Sequence, residues 1–194
     1  MVGILLAFFF ASAARDQQPA PSRPIVPATS SGADIAESML QRLDPSLLQR
    51  AGQAGLYRRD DYPVRRALNP FFLSGDFDGD GVPDIAVSVT QRSSGLNGVI
   101  VVPGHLRTVY FLGAGHSSEN LNGTQKRGEV DADAWRVLSA GSVVRSFTTL
   151  PEVGAVSGRP FTFTRDSLEF HWLGKSSFAF LFQDGRFWEV WTGD

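Results

Sequence analysis

Nine residues, Asp76-Phe77-Asp78-Gly79-Asp80-Gly81-Val82-Pro83-Asp84, constrain this chain more than any other segment, because four carboxylates crowd around two glycines. Like charges at that density repel one another, and a turn alone needs no such number. Their alternation lets the carboxylates of a tight loop converge on one point, the arrangement sought by a hard divalent cation that takes six to eight oxygen ligands. Asp76, Asp78 and Asp80 fall at the first, third and fifth ligand places, the backbone carbonyl of Val82 at the seventh, and Asp84 at the ninth. Gly81 occupies the sixth, where a sharp turn with positive φ favours glycine. The expected ion is Ca2+, since magnesium demands strict octahedral geometry and keeps its waters. The twelfth place, a bidentate glutamate in a helix-loop-helix site, is Val87, so a helical EF-hand is not expected. Ile85-Ala86-Val87-Ser88-Val89 instead alternates apolar with small or polar residues, as a strand does. No histidine adjoins the loop in sequence, which disfavours a catalytic metal.

The run from Gly75 to Val87 resembles the DxDxDGxxD loop and following strand of the FG-GAP/VCBS repeat class, seen in integrin-like propeller blades and many secreted bacterial proteins. All four aspartates match, and the resemblance implies calcium at those positions. The segment from Phe178 to Asp194 is also similar to the end of small exported bacterial proteins of unassigned function that carry one such loop. A second copy of the loop is not found in the chain, whereas a propeller needs at least four blades. The fold expected is therefore not a propeller.

A chain of 194 residues, 42% hydrophobic, is long enough for one domain with a real core, and its net charge of -2 argues against nucleic acid as a partner. Residues 1–13 read as a signal peptide, an apolar run closed by the small-x-small pattern Ala11-Ser12-Ala13. Export to the periplasm or the extracellular space is thus expected, with no stable membrane span after cleavage. Cysteine is absent, so neither disulfides nor a lipidated thiol serve an exported form. Residues 14–32, rich in Pro, Ser, Ala and Thr, read as a disordered linker, and residues 33–194 as a single domain.

Within that domain Ile35, Met39, Leu40 and Leu43 recur at helical spacing, and Asp44-Pro45 caps a second short helix that carries Leu47 and Leu48 and stops at Gly52. Strands are expected over Ile85–Gln91, Gly98–Val102 and Arg107–Leu112, joined as a meander. Phe161 and Phe163 are expected to form a hairpin with Leu168, Phe170 and Trp172. The last hairpin closes through a type I′ turn at Asp184-Gly185, pairing Phe182 with Phe187, Phe180 with Glu189 and Phe178 with Trp191 on one face. Leu181 with Trp188 and Ala179 with Val190 fill the other. Both faces are apolar, so this hairpin must be sandwiched, with the early helices as its natural cover. The fold class expected is α+β, mainly antiparallel meander and hairpins with short N-terminal amphipathic helices packed on the sheet.

Catalytic patterns are weak. No GxSxG elbow or HExxH spacing occurs, and His105, His116 and His171 read as turn or edge residues. The mixed group Arg58, Arg59, Asp60, Asp61, Arg65 and Arg66 reads as a self-neutralising solvated face. Trp172, Trp188 and Trp191 read as core, with an exposed recognition platform as the competing reading. The preferred function is a non-catalytic, calcium-stabilised binding domain whose partner is a protein or an envelope glycan. The alternative is a secreted hydrolase of an envelope polymer, with Glu129 and Asp131 as its acid and base.

Overall fold

The computed structural model describes residues 45–116 and 128–193. The signal segment 1–13, the linker 14–32, the helix expected over 33–43 and its neighbour Asp44 lie outside the described residues. The described chain runs α1 (Pro45–Gln53), β1 (Phe72–Gly75), β2 (Asp84–Thr90), β3 (Asn97–Val102), β4 (Tyr110–Gly113), β5 (Ala134–Leu138), β6 (Val143–Arg145), β7 (Pro160–Thr162), β8 (Ser167–Trp172), β9 (Ser176–Gln183) and β10 (Arg186–Gly193). A front sheet has the order β1-β2-β3-β4, a back sheet the order β10-β9-β8-β5, and β6 with β7 form a small third sheet. All pairings between these strands are antiparallel. No described helix is long and apolar enough to cross a membrane.

Period-2 alternation decides which residues meet. Ala86, Val99, Val101 and Leu112 on one face of the front sheet pack against Leu168, Phe170, Phe178, Phe180, Phe182 and Phe187 of the back sheet, forming the central core. The opposite face of the front sheet, with Ile85, Val87, Val89, Ile100 and Val102, is covered by Leu47 and Ala51 of α1 and by Tyr57. The outer face of the back sheet, with Ala179, Leu181, Trp188 and Val190, is covered by Leu150, Ala155, Phe161 and Phe163. Beyond β1, the edge of β2 is continued by residues 63–65, through Arg65 N–H to Ser88 O (2.8 Å) and Thr90 N–H to Pro63 O (3.0 Å).

The last hairpin has the expected register: Phe182 faces Phe187, Phe180 faces Glu189, Phe178 faces Trp191, Leu181 faces Trp188 and Ala179 faces Val190. Its turn residues Asp184 and Gly185 have φ of 53° and 80°, the signs a type I′ turn requires. The meander also forms, within one to three residues of the expected strand boundaries.

Three expectations are corrected. Phe161 and Phe163 do not pair with β8: β7 pairs with β6, while β8 lies between β5 and β9. The Arg165-Asp166 turn between β7 and β8 is held elsewhere, with Asp166 Oδ1 accepting from Ala140 N–H (3.1 Å) and Oδ2 from Asp76 N–H (3.1 Å), so the two segments separate into different layers. The cover of the last hairpin is the β6–β7 unit with residues 150–155, and α1 covers the front sheet instead. Finally, α1 does not stop at Gly52. Gly55, with φ of 71°, supplies the left-handed residue, and Leu56 N–H reaches back to Ala51 O (3.0 Å) while Gly55 N–H reaches Gly52 O (3.0 Å), a Schellman closure.

The tryptophans belong chiefly to the packing. Trp135 and Trp188 are buried, and Trp172 and Trp191 pack half-buried against the central core. The indole N–H groups of Trp135, Trp172 and Trp188 donate to the carbonyls of Pro70, Asp131 and Gln183, which satisfies the polar handle a packed tryptophan brings. Phe170→Ala in the fully buried central layer is expected to cost about 3–5 kcal/mol in urea unfolding. Leu173→Ala, at a side chain 72% exposed, is expected to change stability by less than about 0.5 kcal/mol.

Candidate metal centre

The acidic loop spans the connection from β1 to β2, where the chain leaves Gly75 and re-enters the sheet at Asp84. Gly79 and Gly81 adopt φ of 78° and 82°, so the backbone turns twice through a region that costs a side chain dearly. The carboxylates hold the loop by accepting from its own amides. Asp76 Oδ1 takes Gly79 N–H (2.9 Å) and Oδ2 takes Gly81 N–H (3.1 Å). Asp78 Oδ1 takes Asp80 N–H (3.1 Å), and Asp80 Oδ1 takes Val82 N–H (2.7 Å). These local bonds bend the chain inward and restrict where the remaining lone pairs can lie.

Asp84 is different, being fully buried on the inner face of the front sheet. Its Oδ2 accepts from Phe77 N–H (2.8 Å) and Asp78 N–H (3.2 Å), and its Oδ1 from Gly104 N–H (2.8 Å). Burial pushes this carboxyl up to about 6; the amides of Gly104, Asp78 and Phe77 pull it down, and the Asp78 charge raises it. Tyr110, on β4, is also raised, first by burial and then by the charges of Asp78 and Asp84.

Carboxylate oxygens of Asp76, Asp78 and Asp84 lie within 4.8 Å of one another. Oxygens around one calcium ion at about 2.3–2.6 Å stand no more than about 5 Å apart, so this donor set fits the ion. Asp80 joins Asp78 and His105 in a second grouping, while the Val82 side chain is 44% exposed. The structure thus brings Asp76, Asp78 and Asp84 together and sets Asp80 and Val82 on the solvent side.

The expectation that no histidine lies beside the loop is overturned in space. The turn after β3 carries His105 to the site, with Nε2 3.1 Å from Asp78 Oδ2. Its Nδ1 accepts from Arg107 N–H (3.0 Å), which leaves the proton on Nε2 and makes His105 a donor to Asp78, not a ligand of an ion. Gly104 in the same turn sits so close that a Cβ there would come within 2.4 Å of Val82 Cγ1. From the turn that leads into β8, Arg165 Nη1 donates to Asp78 O (2.5 Å) and Asp166 caps Asp76 N–H (3.1 Å). Gly104, His105, Arg165 and Asp166 were not legible as site residues, because 20 to 90 residues separate them from their partners.

The other acidic run is structural in its contacts. Asp131 Oδ1 pairs with Arg65 Nη2 (2.5 Å) and accepts from Asn97 Nδ2 (3.3 Å), to which Glu129 Oε1 is also bonded (3.4 Å). Asp133 Oδ2 accepts from Leu173 N–H (2.9 Å). His116 stacks on Phe111 and bonds Tyr62 Oη (2.8 Å), an edge role. His171 Nε2 lies 3.0 Å from Glu169, a buried carboxylate that also binds Arg136 (2.6 Å) and Thr192 (2.8 Å).

Residues 70–102, which include β1, the loop, β2 and β3, match the family described as FG-GAP repeat. Comparison with curated proteins and with solved structures finds no match.

Asp84→Ala strands three amides at once and is expected to destabilise the chelator-treated protein by about 3 kcal/mol or more. Asp80→Ala, at an exposed position, is expected to cost under about 1 kcal/mol under the same conditions, as read by urea denaturation. The raised Asp84 carboxyl gives a pH signature. From about pH 4 to about pH 6 the folded, metal-free chain keeps a proton that the unfolded chain has released, so its stability falls as pH rises through that window. A cation bound there would take the proton's place, so the Tm difference between calcium-treated and chelated protein is expected to widen over the same range.

Proposed function

We propose that this chain is an exported, non-catalytic binding domain in which one calcium ion locks the entry of β2. The observation that carries the reading is the convergence of Asp76, Asp78 and Asp84 oxygens within 4.8 Å at a loop matched by the FG-GAP repeat family. That match supports a binding or interaction role. The ion would be held by Asp76, Asp78, Asp80, Asp84 and the Val82 carbonyl, and its contribution is charge neutralisation where the loop joins the sheet. The protein's own residues supply the rest: His105 holds the Asp78 carboxylate, Arg165 holds the Asp78 carbonyl, and Gly104 and Asp166 fix the loop's two ends. Periplasmic or extracellular location fits the apolar N-terminal run, and an envelope protein or glycan is the class of partner that location offers. The hydrolase alternative gains no support, because Glu129 and Asp131 share the Asn97 amide and Asp131 is bound to Arg65.

A ligand that binds only the folded state stabilises it by about 2.7 kcal/mol at a hundredfold excess over Kd. Calcium is therefore expected to raise Tm over chelated protein, with magnesium far weaker. Asp78→Ala is expected to lose most of that gain, and equal melting of chelated and calcium-loaded wild type would refute the reading.

A further inference from the structure

The cover over the outer face of the front sheet is not packed solid. Between α1, residues 57–64 and strands β2 and β3 lies a cavity of about 300 Å³, the lower end of the size range for small-molecule sites. Leu48, Val64, Val87, Val89 and Ile100 give it an apolar lining. Its polar residues gather on one stretch of chain and at one neighbour: Tyr57, Arg59, Asp60, Tyr62 and Arg92.

These groups are not equally committed. Tyr62 Oη is engaged by His116 (2.8 Å) and by Gln91 Nε2 (3.4 Å). Tyr57 is buried, yet its hydroxyl has only a 3.5 Å contact to Leu48 O, at the outer limit of a hydrogen bond. An under-used donor on an apolar wall is costly unless something accepts from it. Burial pushes Tyr57 up to about 12, so it keeps its proton at neutral pH. Arg92 is exposed and its Nε donates to the Asp60 carbonyl (2.7 Å), which anchors a planar guanidinium at the cavity while using one of its five N–H donors.

We propose that this cavity binds a small amphipathic monocarboxylate. Its apolar body lies on Val87, Val89 and Ile100, and its carboxylate accepts from Arg92 and the Tyr57 hydroxyl. The inference does not rest on the calcium reading, since no lining residue belongs to the acidic loop.

The test is a titration of methyl-labelled full chain with sodium octanoate, with 1-octanol as the uncharged control, each run in calcium and in chelator. Saturable shifts are expected at the Val87, Val89 and Ile100 methyls and not at Val99 or Leu168 in the central core. Octanoate is expected to bind at least tenfold more tightly than octanol. Arg92→Gln, at an exposed side chain, is expected to erase that preference while leaving octanol binding unchanged, and Asp60→Asn to strengthen octanoate binding about twofold. Shifts that fail to saturate, equal binding of octanol, or an unaltered preference in Arg92→Gln would overturn the proposal. A failure of the calcium response with octanoate binding intact would overturn only the metal reading.

Discussion

The fully buried carboxylate of Asp84 is the constraint on which the rest of this structure depends. It ends the acidic loop, begins β2, faces the back sheet, and collects amides from both the loop and the turn after β3. Placing an anion there is expensive, and three N–H donors offset only part of that cost. The carboxylates around it make the charge problem worse, and the proposed cation would relieve it. Loop shape, strand entry and charge balance thus meet at one position.

Around that junction the two sheets close on each other and then stop. Four-stranded antiparallel sheets stacked face to face could in principle continue, as blades do in a propeller. Here α1 covers the outer face of the front sheet, and β6, β7 and residues 150–155 cover that of the back sheet. The chain spends its own segments as covers, so the described residues form a finished sandwich with one acidic corner.

What could be read in the sequence was what is encoded locally. The acidic loop announces its own turns, and the Asp184-Gly185 turn fixes a register that alternation then carries to Trp191. What could not be read depends on partners far along the chain. Phe161 and Phe163 alternate with polar residues as a hairpin partner of β8 would, yet alternation specifies a face and not a neighbour. The Arg165-Asp166 turn, which looks like an ordinary hairpin connection, is drawn off by amides at Asp76 and Ala140. His105 reaches the loop through the pairing of β2 with β3, and nothing in its immediate surroundings records Asp78. Glu169 likewise alternates as a solvent-facing residue would, but Arg136, His171 and Thr192 surround it and let it be buried.

The Arg165-Asp166 turn has a mechanical corollary. Its two side chains grip the backbone of the front layer at Asp76 and Asp78 while their own backbone leads directly into β8 of the rear layer. A shift of the corner would pull on a strand in the middle of the opposite sheet, so the charged rim and the aromatic interior cannot relax separately, and the molecule carries a tie rod between its halves in a place where disulfide chemistry is denied to it.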